Sequence, residues 1–135
     1  PKNGCAFISV RDADKESAIS VAKHVLELGF ELVATSGTAK SLQAAGISCA
    51  QVNKVNEGRP DIVDMIKNGE IHFIINTTEG KQAIADSRAI RSNALQNKVM
   101  YTTTITGARA TCLAMQIGNS SSINRLQDLH QELNS

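Results

Sequence analysis

Short apolar stretches alternate along this chain with longer segments whose apolar residues have helical spacing. The short stretches favour strands, because they are brief, apolar and followed by polar residues. They lie at residues 5–10, 30–34, 47–52, 72–76 and 99–101. The first longer segment stops at Gly29, as an amphipathic helix commonly does. Its apolar positions are Ala18, Val21, Ala22, Val25 and Leu28. Comparable patterns predict helices at 39–45, 61–67, 81–95, 108–117 and 123–133.

This alternation predicts a single α/β domain over residues 1–135. Strands that alternate with helices of this length form a parallel sheet with helices on both faces. A polar stretch at 119–123 predicts a flexible link to the last helix. Asp12 or Asp14 is expected to cap the first helix, since a carboxylate there can accept from its unpaired N–H groups.

Polar side chains follow three of the predicted strands, at the points where those strands end. They form the runs 35–38, 76–78 and 101–104. Because the carboxyl ends of parallel strands meet at one edge of a sheet, we expect the runs to lie together. In the first run, Thr35, Ser36 and Thr38 supply hydroxyls, and Gly37 lets a ligand approach the backbone where a helix begins. The sequence therefore predicts a phosphate-binding edge.

Lys15 and Lys54 are the cations best placed to join this edge. Lys15 opens the first helix, and Lys54 lies in the loop after the third strand. On position alone, each is also explained as a solvated surface charge. The hydroxyl run is likewise explained as an ordinary helix cap and turn. These residues alone leave both alternatives open.

The composition of the 135 residues narrows the class of protein. Lys and Arg total 14 against 13 Asp and Glu, and only 3% of the residues are aromatic, which argues against a nucleic-acid partner. No apolar run approaches the ~20 residues of a membrane span, so we expect no membrane partner and a cytoplasmic location. Cys5, Cys49 and Cys112 lack paired spacing and are expected to be free thiols. The chain begins at Pro1, which we interpret as a fragment of a longer chain.

Motifs of common catalytic and cofactor sites are missing. The sequence contains no Gly-x-Gly-x-x-Gly and no Walker-type phosphate loop. His24, His72 and His130 are isolated and are expected to be structural or exposed. Glu79 is the one carboxylate that stands out at a strand end. We therefore expect this domain to bind an anion without catalysis, and to hold no metal or cofactor.

Several long motifs, in order, resemble the methylglyoxal-synthase-like domain that ends the large subunit of carbamoyl-phosphate synthase. They lie at residues 9–15, 29–39, 52–62, 74–80, 86–95 and 101–103. The resemblance spans nearly the whole chain and implies an allosteric domain with a Rossmann-like α/β/α fold. Its sheet is expected to be twisted, five-stranded and mainly parallel.

The resemblance also implies effectors and their residues. UMP as inhibitor and IMP as activator are expected at one overlapping site, and ornithine near the junction with a neighbouring synthetase domain. The effector phosphate is assigned to Lys15, Thr35, Ser36, Gly37, Thr38 and Lys54. The rest of the nucleotide pocket is assigned to Ser9, Asn76 and Thr78, and the ornithine site to Tyr101 and Thr103.

For the longer parent protein, the resemblance implies synthesis of carbamoyl phosphate for arginine and pyrimidine biosynthesis. The parent is expected to use ATP with Mg or Mn, bicarbonate and ammonia derived from glutamine. Expected partners are the synthetase domains of the same large subunit and the small glutaminase subunit. Assembly of the isolated fragment into a homo-oligomer is left open.

Three alternatives compete with this interpretation. Methylglyoxal synthase, a lyase acting on dihydroxyacetone phosphate, shares the Thr-x-Gly-Thr turn but needs a catalytic Asp where this chain has Arg59. The cyclohydrolase domain of purine synthesis is longer and carries a Lys- and His-bearing loop that is not found here. A docking domain without a small ligand is the third alternative, and the Lys and Thr residues expected at one edge count against it.

Overall fold

The computed structural model describes residues 4–53, 61–77 and 81–127, and for 81–86 and 118–127 it describes the backbone alone. The strands are β1 (Gly4–Ser9), β2 (Phe30–Ala34), β3 (Ala50–Gln51), β4 (Phe73–Asn76) and β5 (Met100–Thr102). The helices are α1 (Lys15–Glu27), α2 (Ser36–Ala44), α3 (Ile62–Lys67), α4 (Lys81–Gln96) and α5 (Ile105–Gln127). A short 3-10 turn, Asp12–Asp14, precedes α1.

The strands form one sheet in the order β3-β2-β1-β4-β5, and every neighbouring pair is parallel. The prediction of a five-stranded parallel sheet is therefore confirmed. Strand β1 is central, and the chain leaves it towards β2 on one side and returns through β4 on the other. In sheets of this kind, ligands bind beyond the carboxyl ends of the strands, beside the point where the strand order reverses.

Successive side chains of the central strands enter two separate cores. Ala6 and Ile8 of β1 pack with α1, α2 and α5, whereas Phe7 packs with α3 and α4. Strand β4 divides in the same way, with Ile75 on the first face and Ile74 on the second. This alternation follows from the two-residue period of a strand. It produces the three-layer arrangement that the sequence predicts.

Two glycines end helices as the sequence indicates. Gly29 has φ 96° after α1, and Gly46 has φ 83° after α2. These left-handed conformations reverse the chain towards the next strand at little cost when no Cβ is present. Helix α3 begins differently: Asp61 and Asp64 each accept a hydrogen bond from the other's backbone N–H, at 3.0 and 2.9 Å. The two glycines thus turn the chain after α1 and α2, and the two aspartates set the start of α3.

The predictions of the link and of the α1 cap are wrong, and the third strand is present but shorter than predicted. The link predicted at 119–123 is helical, because α5 runs without a break from Ile105 to Gln127. The third strand is confined to Ala50–Gln51, at the edge of the sheet. Asp14 occupies the capping position of α1, but its side chain does not cap the helix; it accepts instead from Arg11 Nε at 2.8 Å.

Candidate functional site

Polar residues collect at the carboxyl edge of the sheet. Strand β1 ends at Ser9, which lies in register with Asn76 at the end of β4. On the other side of β1, Ile8 is in register with Ala34, so Thr35 continues β2 at the same level. Thr102 pairs with Ile75 at the end of β5. The strand ends chosen from the sequence are therefore neighbours in space.

Helix α2 presents its amino end to this edge. The helix begins at Ser36, so Ser36, Gly37 and Thr38 form its first turn rather than a preceding loop. Thr35 is the capping residue, with φ −69° and ψ 160°, yet its side chain makes no capping hydrogen bond within the described residues. Its hydroxyl donates to Ser9 Oγ at 3.1 Å instead. Helical geometry gives the backbone N–H groups of this first turn no partner inside the helix, which favours an anion there.

Lys15 brings a full positive charge to the same turn. It is the first residue of α1, and its side chain crosses to α2. A Cβ built on Gly37 would lie 3.0 Å from Lys15 Nζ, so the ammonium group rests against the glycine backbone. The Lys15 side chain is 26% exposed, and Nζ also donates to Asp12 Oδ1 at 2.6 Å. A helix amino end and a lysine ammonium thus converge on one point.

Two threonine hydroxyls hold the loop that leads from β1 to Lys15. Thr38 is buried, and its Oγ1 accepts a hydrogen bond from the Val10 backbone N–H at 3.2 Å. Thr77 is also buried, and its Oγ1 accepts from the Arg11 N–H at 3.0 Å. Both bonds satisfy backbone donors immediately after β1, where ladder pairing ends. They fix the direction in which the chain enters α1.

Asn76 links the second half of the edge. Its side chain is buried, and Nδ2 donates to Ser87 Oγ at 2.9 Å and to Tyr101 OH at 3.0 Å. These bonds join the end of β4 to α4 and β5. Thr103 follows β5 directly and is exposed. Lys54 and Thr78, assigned to the same pocket from the sequence, lie outside the described residues.

A separate groove of about 1140 Å³ lies between α1 and α5. His24 crosses it, with Nε2 3.0 Å from Gln116 Oε1, and Lys23 and Arg109 lie along its walls beside Glu16 and Glu27. Acidic and basic groups are thus mixed there, whereas the sheet edge combines a helix amino end with a lysine. We place the candidate anion site at the edge for this reason.

We next considered metal-binding groups, the cysteine thiols and membrane-spanning helices among the described residues. In the part of the chain that the structure describes, no three His, Cys, Asp or Glu side chains are grouped to hold a metal ion. Burial, with the carboxylates of Glu31 and Glu70, raises the pKa of the Cys5 thiol from 9.0 to about 11. Burial also raises the pKa of Cys49 and Cys112. Among the described helices, none has the length and apolar character needed to cross a membrane.

Residues 17–103 match the family described as the MGS-like domain, which is more than half of the chain. The chain belongs to the MGS-like domain family. Its similarity to carbamoyl phosphate synthase large chains is high: it is 58% identical to that of Pseudomonas aeruginosa over 130 residues and 56% identical to that of Halomonas eurihalina over 125. The matches cover 96% and 93% of this MGS-like domain but only 12% of each relative.

Solved structures share the fold of this MGS-like domain. Methylglyoxal synthase from Elizabethkingia anophelis NUHP1 superposes with a TM-score of 0.64 at 14% identity, over 82% of this chain and 78% of that one. The structure of ForH superposes with a TM-score of 0.59 at 19% identity, over 85% and 80% of the two chains. At these identities the likeness shows the fold alone.

The fold places most of the assigned residues of the MGS-like domain in two linked groups. Ser9, Lys15 and the 35–38 turn form one, and Asn76 with Tyr101 forms the other. Two residues that contact this site were not assigned to it from the sequence: Asp12, which pairs with Lys15, and Ser87, which accepts a hydrogen bond from Asn76. Thr77 lies in a hydroxyl run that was recognised, but Ser87 lies within α4, where no strand end marks it.

Proposed function

We propose that this MGS-like domain is the effector-binding domain of a carbamoyl phosphate synthase large chain and that it binds nucleotide monophosphates by their phosphate group. One observation carries the proposal: Lys15 Nζ rests against Gly37 in the first turn of α2. A phosphate monoester carries a charge of about −1.5 to −2 at neutral pH and three acceptor oxygens. The backbone N–H groups and the ammonium supply the donors and the positive charge that such a group needs.

Buried threonine hydroxyls hold in place the segments that carry the proposed phosphate-binding groups. Thr38 accepts from Val10 N–H and thereby holds the loop that carries Lys15. Thr35 donates to Ser9, so the two strand ends beside the phosphate are tied together. In this proposal Lys54 and Thr78 complete the pocket, and Asn76 contacts the nucleoside part of the ligand. Pre-organised donors of this kind reduce the entropy lost on binding.

The proposed effectors are UMP as inhibitor and IMP as activator, with ornithine acting through Tyr101 and Thr103. An effector alters activity only if it binds one arrangement of domain and synthetase core more tightly than another. Coupling energies of this kind are typically ~1–3 kcal/mol. The names of the relatives support a parent chain that makes carbamoyl phosphate, and the matched region is 12% of their length. In this proposal the domain itself performs no chemistry.

Within the same proposal the parent protein uses ATP with Mg or Mn, receives ammonia from a small glutaminase subunit, and serves arginine and pyrimidine biosynthesis in the cytoplasm. The synthetase domains of the same chain are the partners that receive the effector signal.

Titration calorimetry of the 135-residue chain with UMP and with IMP tests the proposal. The wild type is expected to bind, and Lys15→Ala to bind roughly tenfold or more weakly, since a hydrogen bond to a charged group contributes ~1.5–3 kcal/mol. Lys23→Ala is the matched control, because Lys23 is exposed and lies two turns further along α1. Lys54→Ala tests the second assigned cation.

Two results would overturn the proposal. One is a folded wild type that binds neither nucleotide. The other is equal weakening by Lys15→Ala and Lys23→Ala, which would indicate a general charge effect instead of a site at α2. Circular dichroism on every variant distinguishes loss of binding from loss of fold.

A further inference from the structure

Lys15 already has an anionic partner within its own chain. Its Nζ donates to Asp12 Oδ1 at 2.6 Å, three residues earlier in the 3-10 turn before α1. The Asp12 side chain is 92% exposed, whereas that of Lys15 is 26% exposed. Asp12 is thus the exposed partner of the pair and Lys15 the more buried one. The hydrogen bond and charge of Lys15 lower the pKa of the Asp12 carboxyl, so this group is ionised at neutral pH.

We propose that Asp12 is an intramolecular competitor for the effector phosphate: its carboxylate occupies Lys15 in the empty site and weakens the binding of any anion there. This inference rests on the proposed function, because it concerns the same lysine. A phosphate seated on Lys15 and the first turn of α2 brings two negative groups to one ammonium. The repulsion between the phosphate and the Asp12 carboxylate opposes binding, and it would be absent if residue 12 were uncharged.

The opposite role for Asp12 is a concrete rival. A carboxylate that held Lys15 over Gly37 would be a positioning residue, and its removal would weaken binding. Packing argues against this role. The Lys15 side chain is largely enclosed and lies against the Gly37 backbone, whereas Asp12 is almost fully in solvent. An ion pair with an exposed carboxylate such as Asp12 is weak, so it contributes little to holding the Lys15 side chain in place.

The neighbouring ion pair provides a matched control. Asp14 lies in the same turn and pairs with Arg11, with Arg11 Nε 2.8 Å from Asp14 Oδ2. Replacing either aspartate by asparagine changes the charge of the chain by the same amount. Asparagine also remains a good residue at the helix-capping position that Asp14 occupies. Only the Asp12 change removes the carboxylate bonded to Lys15.

The test is calorimetric titration with UMP of the wild-type chain, Asp12→Asn and Asp14→Asn. Asp12→Asn is expected to lower the Kd for UMP roughly two- to fivefold, the range that an exposed ion pair allows. The gain is expected to shrink as NaCl is raised, since salt screens exposed charges. Asp14→Asn is expected to give a smaller change.

Three outcomes would overturn the inference. Weaker binding by Asp12→Asn would make Asp12 a positioning residue, and unchanged binding would make the pair irrelevant to the ligand. An equal gain in Asp14→Asn would show a general charge effect. In each of these cases the wild type still binds UMP, so the proposed function survives. If neither the wild type nor either variant binds UMP or IMP, the proposed function fails, and the inference fails with it.

Discussion

The amide of Asn76 donates a hydrogen bond to the hydroxyl of Tyr101, with Nδ2 and OH 3.0 Å apart. The second N–H of the same amide is taken by Ser87 Oγ at 2.9 Å. Both donors of a side chain that is only 3% exposed are therefore satisfied by residues from two other elements. The orientation of Asn76, at the end of β4, depends on a hydroxyl from β5.

Removing that hydroxyl tests this dependence. Tyr101→Phe is expected to lower the free energy of unfolding by ~1–3 kcal/mol, because a buried N–H loses its acceptor. Under the proposed function, it also weakens UMP binding, since the amide is no longer held in place. Urea unfolding and calorimetry measure the two effects. Ser87→Ala is the parallel variant, and an unchanged stability in Tyr101→Phe would show that Asn76 does not need this bond.

Gly37 is predicted to trade stability against binding. Alanine is a better helix former than glycine by up to ~1 kcal/mol, so Gly37→Ala is expected to leave the fold intact or slightly more stable. Its Cβ would lie 3.0 Å from Lys15 Nζ, and the end of that flexible side chain must move away. UMP affinity is therefore expected to fall while the thermal midpoint does not. A parallel Ser41→Ala change, further along α2, should leave affinity unchanged, and loss of affinity in both would contradict the mechanism.

Thr38 is predicted to have a structural role that a conservative change preserves. Thr38→Val keeps the shape but leaves the buried Val10 N–H without its acceptor, which is expected to cost ~1–3 kcal/mol of unfolding free energy. Thr38→Ser keeps the hydroxyl and should cost less. Denaturant unfolding of both variants checks the order. Equal losses would attribute the effect to packing and not to the hydrogen bond.

Alkaline pH is predicted to act through Cys5. The pKa of this thiol is about 11 in the folded chain against 9.0 for an unperturbed thiol, chiefly because burial disfavours the thiolate. As pH rises, the Cys5 thiol ionises first in the unfolded state. Its contribution to the free energy of unfolding is therefore complete below pH 9.0 and is lost as pH rises towards 11. Cys5→Ala is expected to show a shallower fall in stability across this window. Identical pH profiles for the wild type and Cys5→Ala would contradict the assignment.

Dihydroxyacetone phosphate is predicted to remain unchanged in the presence of this chain. The lyase interpretation requires a carboxylate base where the sequence has Arg59, and an arginine does not abstract a proton at neutral pH. A colorimetric assay for methylglyoxal with pure protein checks this. Turnover that survives repurification and is lost in Lys15→Ala would favour the lyase over the effector-binding proposal.

The order of elements was predictable because most strands lie in short apolar stretches and α1 has apolar residues at helical spacing. The start of α2 was not. Ser36, Gly37 and Thr38 are poor helix formers, so local propensity favours a turn, yet they form the first helical turn. Likewise, α5 continues through the polar stretch predicted as a link. Extending a helix that is already formed costs little per residue, and Ala108 and Cys112 anchor it in the core.

The candidate site was predictable as far as strand ends mark it. Lys15 was ambiguous in the sequence, because only the packing of α1 beside α2 shows that its ammonium reaches Gly37. Asp12 was considered as a helix cap and is instead the partner of that ammonium. Ser87 carries no signal of its own, since a serine within a helix contacts a strand end only through tertiary packing.

Because β1 is central in the sheet, binding of a ligand at the carboxyl edge should be measurable by hydrogen exchange. Lys15 and the start of α2 follow β1 and β2, whereas Asn76 ends β4, so a ligand reaching both fastens the two sides of β1 together. Ser9 and Asn76 are paired in register at the end of the β1–β4 ladder, which is where this ligand would bridge the two strands. Opening of the β1–β4 ladder would then require the ligand to leave. Deuterium exchange at the amides of Phe73–Asn76, well beneath the surface, would therefore slow when a nucleotide occupies the edge above them.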